Sequence, residues 1–361
     1  MSYKVLFLED KLFYEGMLNH NFFHNCELFY NGGKLYNKNH QLIKYDLIVY
    51  TIYSSPLYNF IIRRASELNI KTLLLMDGIC EFSNFTKNKK IMALGIDNYH
   101  PIIADNIGII GKSAKKYFCS FGINALNYIP PRLIDMCIKN KNESNNKINK
   151  ENVFLITTAN TAYYDDSEYT KLINLLKDII LVLKNKNIRY YFRVFDEKII
   201  NELSIPHEKN LRNGSFEDTL EMVSFVITTP SSIILPAMYQ RKPVAILQYR
   251  DSPNFIQSGW VISKDIDYSS TFASMMSFDK KRMNFQLNQI EDSLSKCDTV
   301  ADCFKEKNSF TIKEVSQFIN KTNINMLESK FNINFEYLAR KIYIKYIKKS
   351  KFKNILARLI K

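Results

Sequence analysis

Two short stretches hold the residue types that could do chemistry. The first is Thr228-Thr229-Pro230-Ser231-Ser232, set between the apolar runs Phe225-Val226-Ile227 and Ile233-Ile234-Leu235. The pattern predicts a buried strand, a polar turn, a helix over 231–239 and a second buried strand over 243–247. A helix start leaves backbone N–H groups unpaired, and hydroxyls beside them at Thr229, Ser231 and Ser232 suit a phosphate. Serines at such a place also serve as plain helix caps. The second stretch is Asp77-Gly78, directly after the predicted strand Lys71–Met76 with its apolar run Leu73–Met76. In an open α/β sheet a carboxylate at a strand end faces the ligand crevice, where it can take a proton from an acceptor hydroxyl. An aspartate before a glycine is equally the mark of a turn that needs positive φ.

Further positions each carry two readings. His207, in Ile205-Pro206-His207-Glu208, is placed to stabilise a leaving phosphate or is an exposed loop histidine. Arg193 ends the predicted strand 189–194 and reaches an anion in a cleft, or sits on the surface. Thr157, Thr158 and Asn160 follow the strand 153–156, where they contact a ligand or cap the loop. Arg250-Asp251 follow another strand end and receive no role from sequence. His100-Pro101 ranks below His207. His20, His24 and His40 share no metal-ligand spacing, so no protein-built metal site is expected. The absence of a Gly-x-Gly-x-x-Gly fingerprint and of a P-loop lysine argues against a Rossmann dehydrogenase and a P-loop NTPase. No nucleic-acid-binding motif is present either, and no nucleic-acid partner is expected.

The elements that must position these residues repeat one pattern twice. Apolar runs at 4–8, 45–50, 71–76 and 107–111 read as strands. Helical spacing over about 56–69, opened by Ser54-Ser55-Pro56, and over 113–121 alternates with them, and a final short strand leads to Tyr128-Ile129. Residues 139–151 are polar and apolar-poor, the clearest linker in the chain. Strands at 153–156, 189–194, 225–228 and 243–247 then alternate with helices over about 166–184, 217–223 and 231–239. Strands alternating with helices predict parallel sheets covered on both faces, here in two successive α/β units with a cleft between them. The boundaries read 1–138, a linker at 139–151, 152–305, and a helical tail at 306–361.

The chain has 361 residues, 46% of them hydrophobic, enough for two globular units. Its net charge of +14 favours anionic partners. Much of that charge lies in 336–361, where nine Lys and Arg face one acid, Glu336, and apolar residues recur at helical spacing. A basic amphipathic helix of this kind fits an anionic membrane surface, or packs on the body with a solvated basic face. No apolar run reaches membrane-spanning length. The six cysteines form no framework and no secretory leader pattern is present, so reduced cytosolic thiols are expected.

The segments Ile109–Phe118, Pro130-Pro131-Arg132-Leu133, Glu217–Leu220 through Ser231-Ser232, and Arg241–Val244 together resemble two-domain GT-B-type transferases of bacterial surface-polysaccharide synthesis. The resemblance spans roughly residues 1–260. It implies two Rossmann-like domains facing a cleft, the first on the acceptor side and the second holding a nucleotide donor. Bacterial sialyltransferases, which use CMP-activated acidic sugars, carry an acidic-Asp-Gly motif, a His-Pro motif and a Ser-Ser motif. Asp77-Gly78 and Ser231-Ser232 match the first and third, although Met76 precedes Asp77. The His-Pro motif should fall near Arg193–Asp196, where no histidine stands, and His207 is the nearest. CDP-glycerol and CDP-ribitol polyol-phosphate transferases are similar over 217–260. They differ by a histidine before the glycine and by an acidic residue and tyrosine before the serines. The resemblance implies a cytidine-activated donor, a capsule or lipooligosaccharide acceptor, and no cofactor or metal. It further implies a place at the inner face of the cytoplasmic membrane. A degenerate GT-B subunit that supports a partner enzyme is the third expectation.

Overall fold

The structure is a computed structural model that describes residues 2–35, 38–53, 55–88, 102–120, 122–133, 152–294 and 297–305. The linker 139–151, His100-Pro101, Cys137 and the tail 306–361 with its basic segment 336–361 lie outside the described residues.

Six strands form the first sheet: β1 (Tyr3–Phe7), β2 (Cys26–Phe29), β3 (Leu47–Tyr50), β4 (Lys71–Leu75), β5 (Asn106–Ile109) and β6 (Asn124–Asn127). All pairs are parallel, in the order β2-β1-β3-β4-β5-β6. Helices α1 (Asn39–Leu42), α2 (Pro56–Glu67), α3 (Phe82–Lys87) and α4 (Lys112–Cys119) belong to this unit. Ser55 caps α2, its hydroxyl accepting from the Tyr58 amide at 3.4 Å. Ile61, Ile62 and Ala65 recur along α2 and are buried, as their spacing requires.

The second sheet holds β7 (Val153–Thr157), β8 (Arg189–Arg193), β9 (Phe225–Thr228), β10 (Val244–Gln248) and β11 (Trp260–Ser263). It is also wholly parallel, in the order β11-β10-β9-β7-β8. Its helices are α5 (Asp166–Asn185), α6 (Glu197–Glu202), α7 (Phe216–Glu221), α8 (Ile234–Tyr239), α9 (Tyr268–Met276) and α10 (Lys280–Ser293). The two Rossmann-like units match the expected α/β class. None of the described helices is long and apolar enough to cross a membrane.

Two strands escape the sequence pattern. Both β2 and β11 are four-residue edge strands with an exposed residue; Glu27 interrupts the apolar run of β2, whereas β11 holds the short apolar run Trp260-Val261-Ile262 with Val261 exposed. The predicted helix over 231–239 is shorter than expected. α8 begins at Ile234, with Ser231 and Ser232 in the turn before it, because Pro230 and two hydroxyl residues favour turn over helix.

Apolar residues from both units share one core. Ile110, Ile129 and Leu133 pack with Val226, Leu235, Met238 and Ile290. The chain then crosses back. Val300 and Cys303 lie in the core of the first sheet, and the Phe304 ring stacks on Tyr3 at 4.6 Å. Asp298 accepts from the Asn127 amide and Lys115 Nζ, each at 2.7 Å. The last described residues of the stretch 152–305 therefore cover the first sheet rather than the second.

Candidate functional site

In an open parallel sheet the ligand crevice lies beyond the strand ends, where the strand order reverses. The first sheet reverses between β1 and β3, and Glu9 fills that crevice. Glu9 Oε1 accepts from the Thr51 and Ile52 amides at 2.9 and 2.8 Å, and Oε2 accepts from the Tyr14 hydroxyl. Burial raises the Glu9 carboxyl above its ordinary range, against the lowering effect of these bonds. A carboxylate already holds the amides that an incoming phosphate would use.

The second sheet reverses between β7 and β9, where Thr157 and Thr228 are paired in register. The loops beyond these two strands are tied together. The Thr229 amide donates to Thr157 O at 3.3 Å, and the Thr229 hydroxyl accepts from the Ala159 amide at 2.8 Å. Thr229 is fully buried and acts as this strut. Thr158 is also buried, yet its hydroxyl has no hydrogen-bond partner. Asn160 is exposed on the same loop. Ser231 and Ser232 are half-buried on the facing turn. The residues 157–161 and 229–233 include no Lys, Arg or His, so this crevice offers hydroxyls and amides but no positive charge of its own.

The two sequence-predicted turns meet across the cleft. Ser232 Oγ accepts from the Ile79 amide at 3.0 Å, which joins the end of β9 to the end of β4. Asp77, on the same turn as Ile79, is exposed, and Gly78 is buried. A Cβ on Gly78 would collide with Ser232 Oγ. Gly78 is not among the positive-φ residues, so the need for glycine here is close approach and not a left-handed backbone.

A second junction flanks the first. Arg250, buried beyond β10, pairs with Glu81 of the first unit and lies 3.1 Å from Glu168 through Nε. That Nε contact is ionic without hydrogen-bond alignment. Arg250 also donates to Thr161 O, and Glu81 accepts from the Thr161 hydroxyl at 3.0 Å. Lys87 completes the cluster, 2.8 Å from Glu168. Burial pulls the Arg250 guanidinium down to about 10, leaving it charged at neutral pH.

Arg193 and His207 are not brought to the two turns. Arg193 donates to the carbonyls of Leu211 and Gly214 and to the Thr219 hydroxyl, clamping the loop before α7. His207 is exposed in a short 3-10 turn, His207–Lys209. Asn210 bridges Phe192 in parallel, and Lys209 Nζ lies 4.8 Å from the Tyr190 ring centroid. This direction puts His207 toward the start of β8, away from the strand ends that hold Ser231. Sequence reading missed Glu9, Glu81 and Glu168. Their one visible signal is a carboxylate close to a predicted strand or helix end. Among the described residues no group of three or more His, Cys, Asp and Glu could hold a metal ion.

No family model and no curated protein matches the chain. Solved structures do. UDP-GlcNAc 2-epimerase from Neisseria meningitidis, bound to UDP-GlcNAc, is similar over 90% of this chain and 100% of its own, at 11% identity and a TM-score of 0.52. The Methanocaldococcus jannaschii UDP-GlcNAc 2-epimerase in complex with UDP-GlcNAc and UDP follows at 13% identity, covering 78% and 94%, with a TM-score of 0.48. A UDP-forming trehalose-phosphate synthase from Burkholderia vietnamiensis is similar at 11% identity over 73% and 74%, with a TM-score of 0.44. At such identities the likeness is one of fold, and the first of these carries it. With two Rossmann-like units facing a cleft at their strand ends, the chain has the GT-B fold.

Proposed function

We propose that the chain is a glycosyltransferase that moves an acidic, sialic-acid-like sugar from a CMP-activated donor to a capsule or lipooligosaccharide acceptor. The observation that carries this reading is the meeting of Asp77-Gly78-Ile79 with Ser231-Ser232 across the two units. The donor belongs in the crevice between β7 and β9, since Glu9 already occupies the amides of the other crevice. Ser231, Ser232 and the unpaired Thr158 hydroxyl face the nucleotide phosphate, and Thr229 holds the loops that carry them. Asp77 takes the proton of the acceptor hydroxyl as that oxygen bonds to the sugar. The bond from sugar to phosphate breaks, and the CMP phosphate leaves with its electron pair, stabilised by the hydroxyl and amide donors. His207 receives no step, given its place beside β8. The protein donors meet the phosphate charge without a metal, so EDTA should leave turnover unchanged. The basic segment 336–361 holds the enzyme at an anionic membrane surface.

A uridine-activated donor is the second reading, because the fold neighbour from Neisseria meningitidis binds UDP-GlcNAc. Turnover assays with a CMP-activated acidic sugar, CDP-glycerol and UDP-GlcNAc separate the readings. Asp77→Asn should lower kcat on the accepted donor by roughly 10²- to 10⁴-fold. Undiminished turnover would remove Asp77 as the base, and consumption of UDP-GlcNAc alone would favour the second reading.

A further inference from the structure

The crevice between β7 and β9 has no cation of its own, yet a nucleotide donor is anionic. Arg193 turns its Nη donors to Leu211, Gly214 and Thr219, and Arg250 is held by Glu81, Thr161 and Glu168. Arg132 stands differently. Its backbone amide donates to Gly16 O at 2.9 Å, which fixes the start of the side chain. Its Nη2 donates to the Asp77 carbonyl, so the guanidinium rests on the turn that touches Ser232. The residue is exposed, and among the described residues its Nε and Nη1 have no partner and no carboxylate pairs with it.

We propose that Arg132 binds the anionic group of the donor, supplying from the first unit the positive charge that the Ser231-Ser232 turn lacks. With one Nη2 N–H on the Asp77 carbonyl, one edge of the guanidinium keeps two parallel N–H donors, one of them the second Nη2 N–H, a geometry that fits a phosphate or a carboxylate. Such a fork supplies positive charge where no histidine reaches the site. The inference rests on the function proposed above.

The test is calorimetric titration of the wild-type chain, Arg132→Gln and Arg132→Lys with CMP, cytidine and an intact CMP-activated acidic sugar. Arg132→Gln should bind CMP about 10- to 100-fold more weakly, with cytidine affinity unchanged and part of the loss recovered by Arg132→Lys. A loss confined to the intact donor, with CMP unchanged, places the contact on the sugar carboxylate and also supports the proposal. Wild-type affinity of Arg132→Gln for both CMP and donor overturns the role of Arg132 and leaves the proposed function standing. Equal losses for CMP and cytidine overturn it too, since charge is then not what was removed. A wild-type chain that binds neither CMP nor donor overturns both readings.

Discussion

Gly78 sets how closely the two units approach. Any side chain there would meet Ser232 Oγ, the atom that accepts the Ile79 amide. Gly78→Ala must turn the Ser232 hydroxyl off the Ile79 amide or push the turns apart, at about 1–3 kcal/mol. The fold should survive, because the buried sheets are untouched, but the Asp77 turn would lose its register against the serines. The expected outcome is a cooperative melt with a drop in kcat/KM of about tenfold or more. Unchanged kinetics would show that the contact is incidental. At this scale the pair Asp77-Gly78 and Ser231-Ser232 was legible, because each follows an unbroken apolar run that marks a buried strand end. Arg132 was not legible as a site residue. Its segment Pro130-Pro131-Arg132-Leu133 enters the family resemblance without a role for the arginine, and its neighbour Asp77 is 55 positions away.

The strand order decides which crevice is open. Both sheets reverse direction once, and both reversals carry a polar residue beyond the strand end. In the first sheet that residue is Glu9, and its raised pKa has a consequence for stability. A carboxyl whose folded pKa lies above the ordinary 4.5 holds its proton more tightly in the folded state. Its contribution is therefore fully present below that ordinary value and is lost as pH rises through the folded one. Glu9→Gln keeps an oxygen for the Thr51 and Ile52 amides and turns an N–H toward Tyr14, without the titration. Melting temperatures between pH 4 and pH 8, in roughly one-unit steps, should show wild type losing ground to Glu9→Gln as pH rises. Parallel curves would contradict the burial account. The central strands were readable because both faces are covered, whereas Glu27 interrupts β2, and β11 offers only the short apolar run Trp260-Val261-Ile262. Helices α9 and α10 follow β11, and the sequence pattern assigns no helix there.

The described parts of the two units are held together by an apolar core and an ionic junction. Ile110, Ile129 and Leu133 pack into residues of the second sheet, and Arg250 ties Glu81 of the first unit to Glu168 of the second. Removing the arginine leaves Glu81 without its cation and takes one of two cations from Glu168, which keeps Lys87, a loss of about 3–5 kcal/mol for a broken buried pair. Arg250→Met should lower the denaturant midpoint accordingly, and a change below about 1 kcal/mol would mean the junction is an exposed pair in solution. The cluster was invisible in sequence because its members lie 81 to 169 positions apart across two units. The alternation of strands and helices nevertheless made the two-unit architecture readable. The central claim is that the crevice between β7 and β9 receives a nucleotide-activated donor at Ser231-Ser232. Its most direct test is calorimetric titration of the wild-type chain and the Ser231→Ala/Ser232→Ala variant with CMP, CDP, UDP and GDP. The account predicts binding of a cytidine nucleotide by the wild type, weakened about tenfold or more in the double variant. Absence of nucleotide binding, or full affinity without the two hydroxyls, would contradict it.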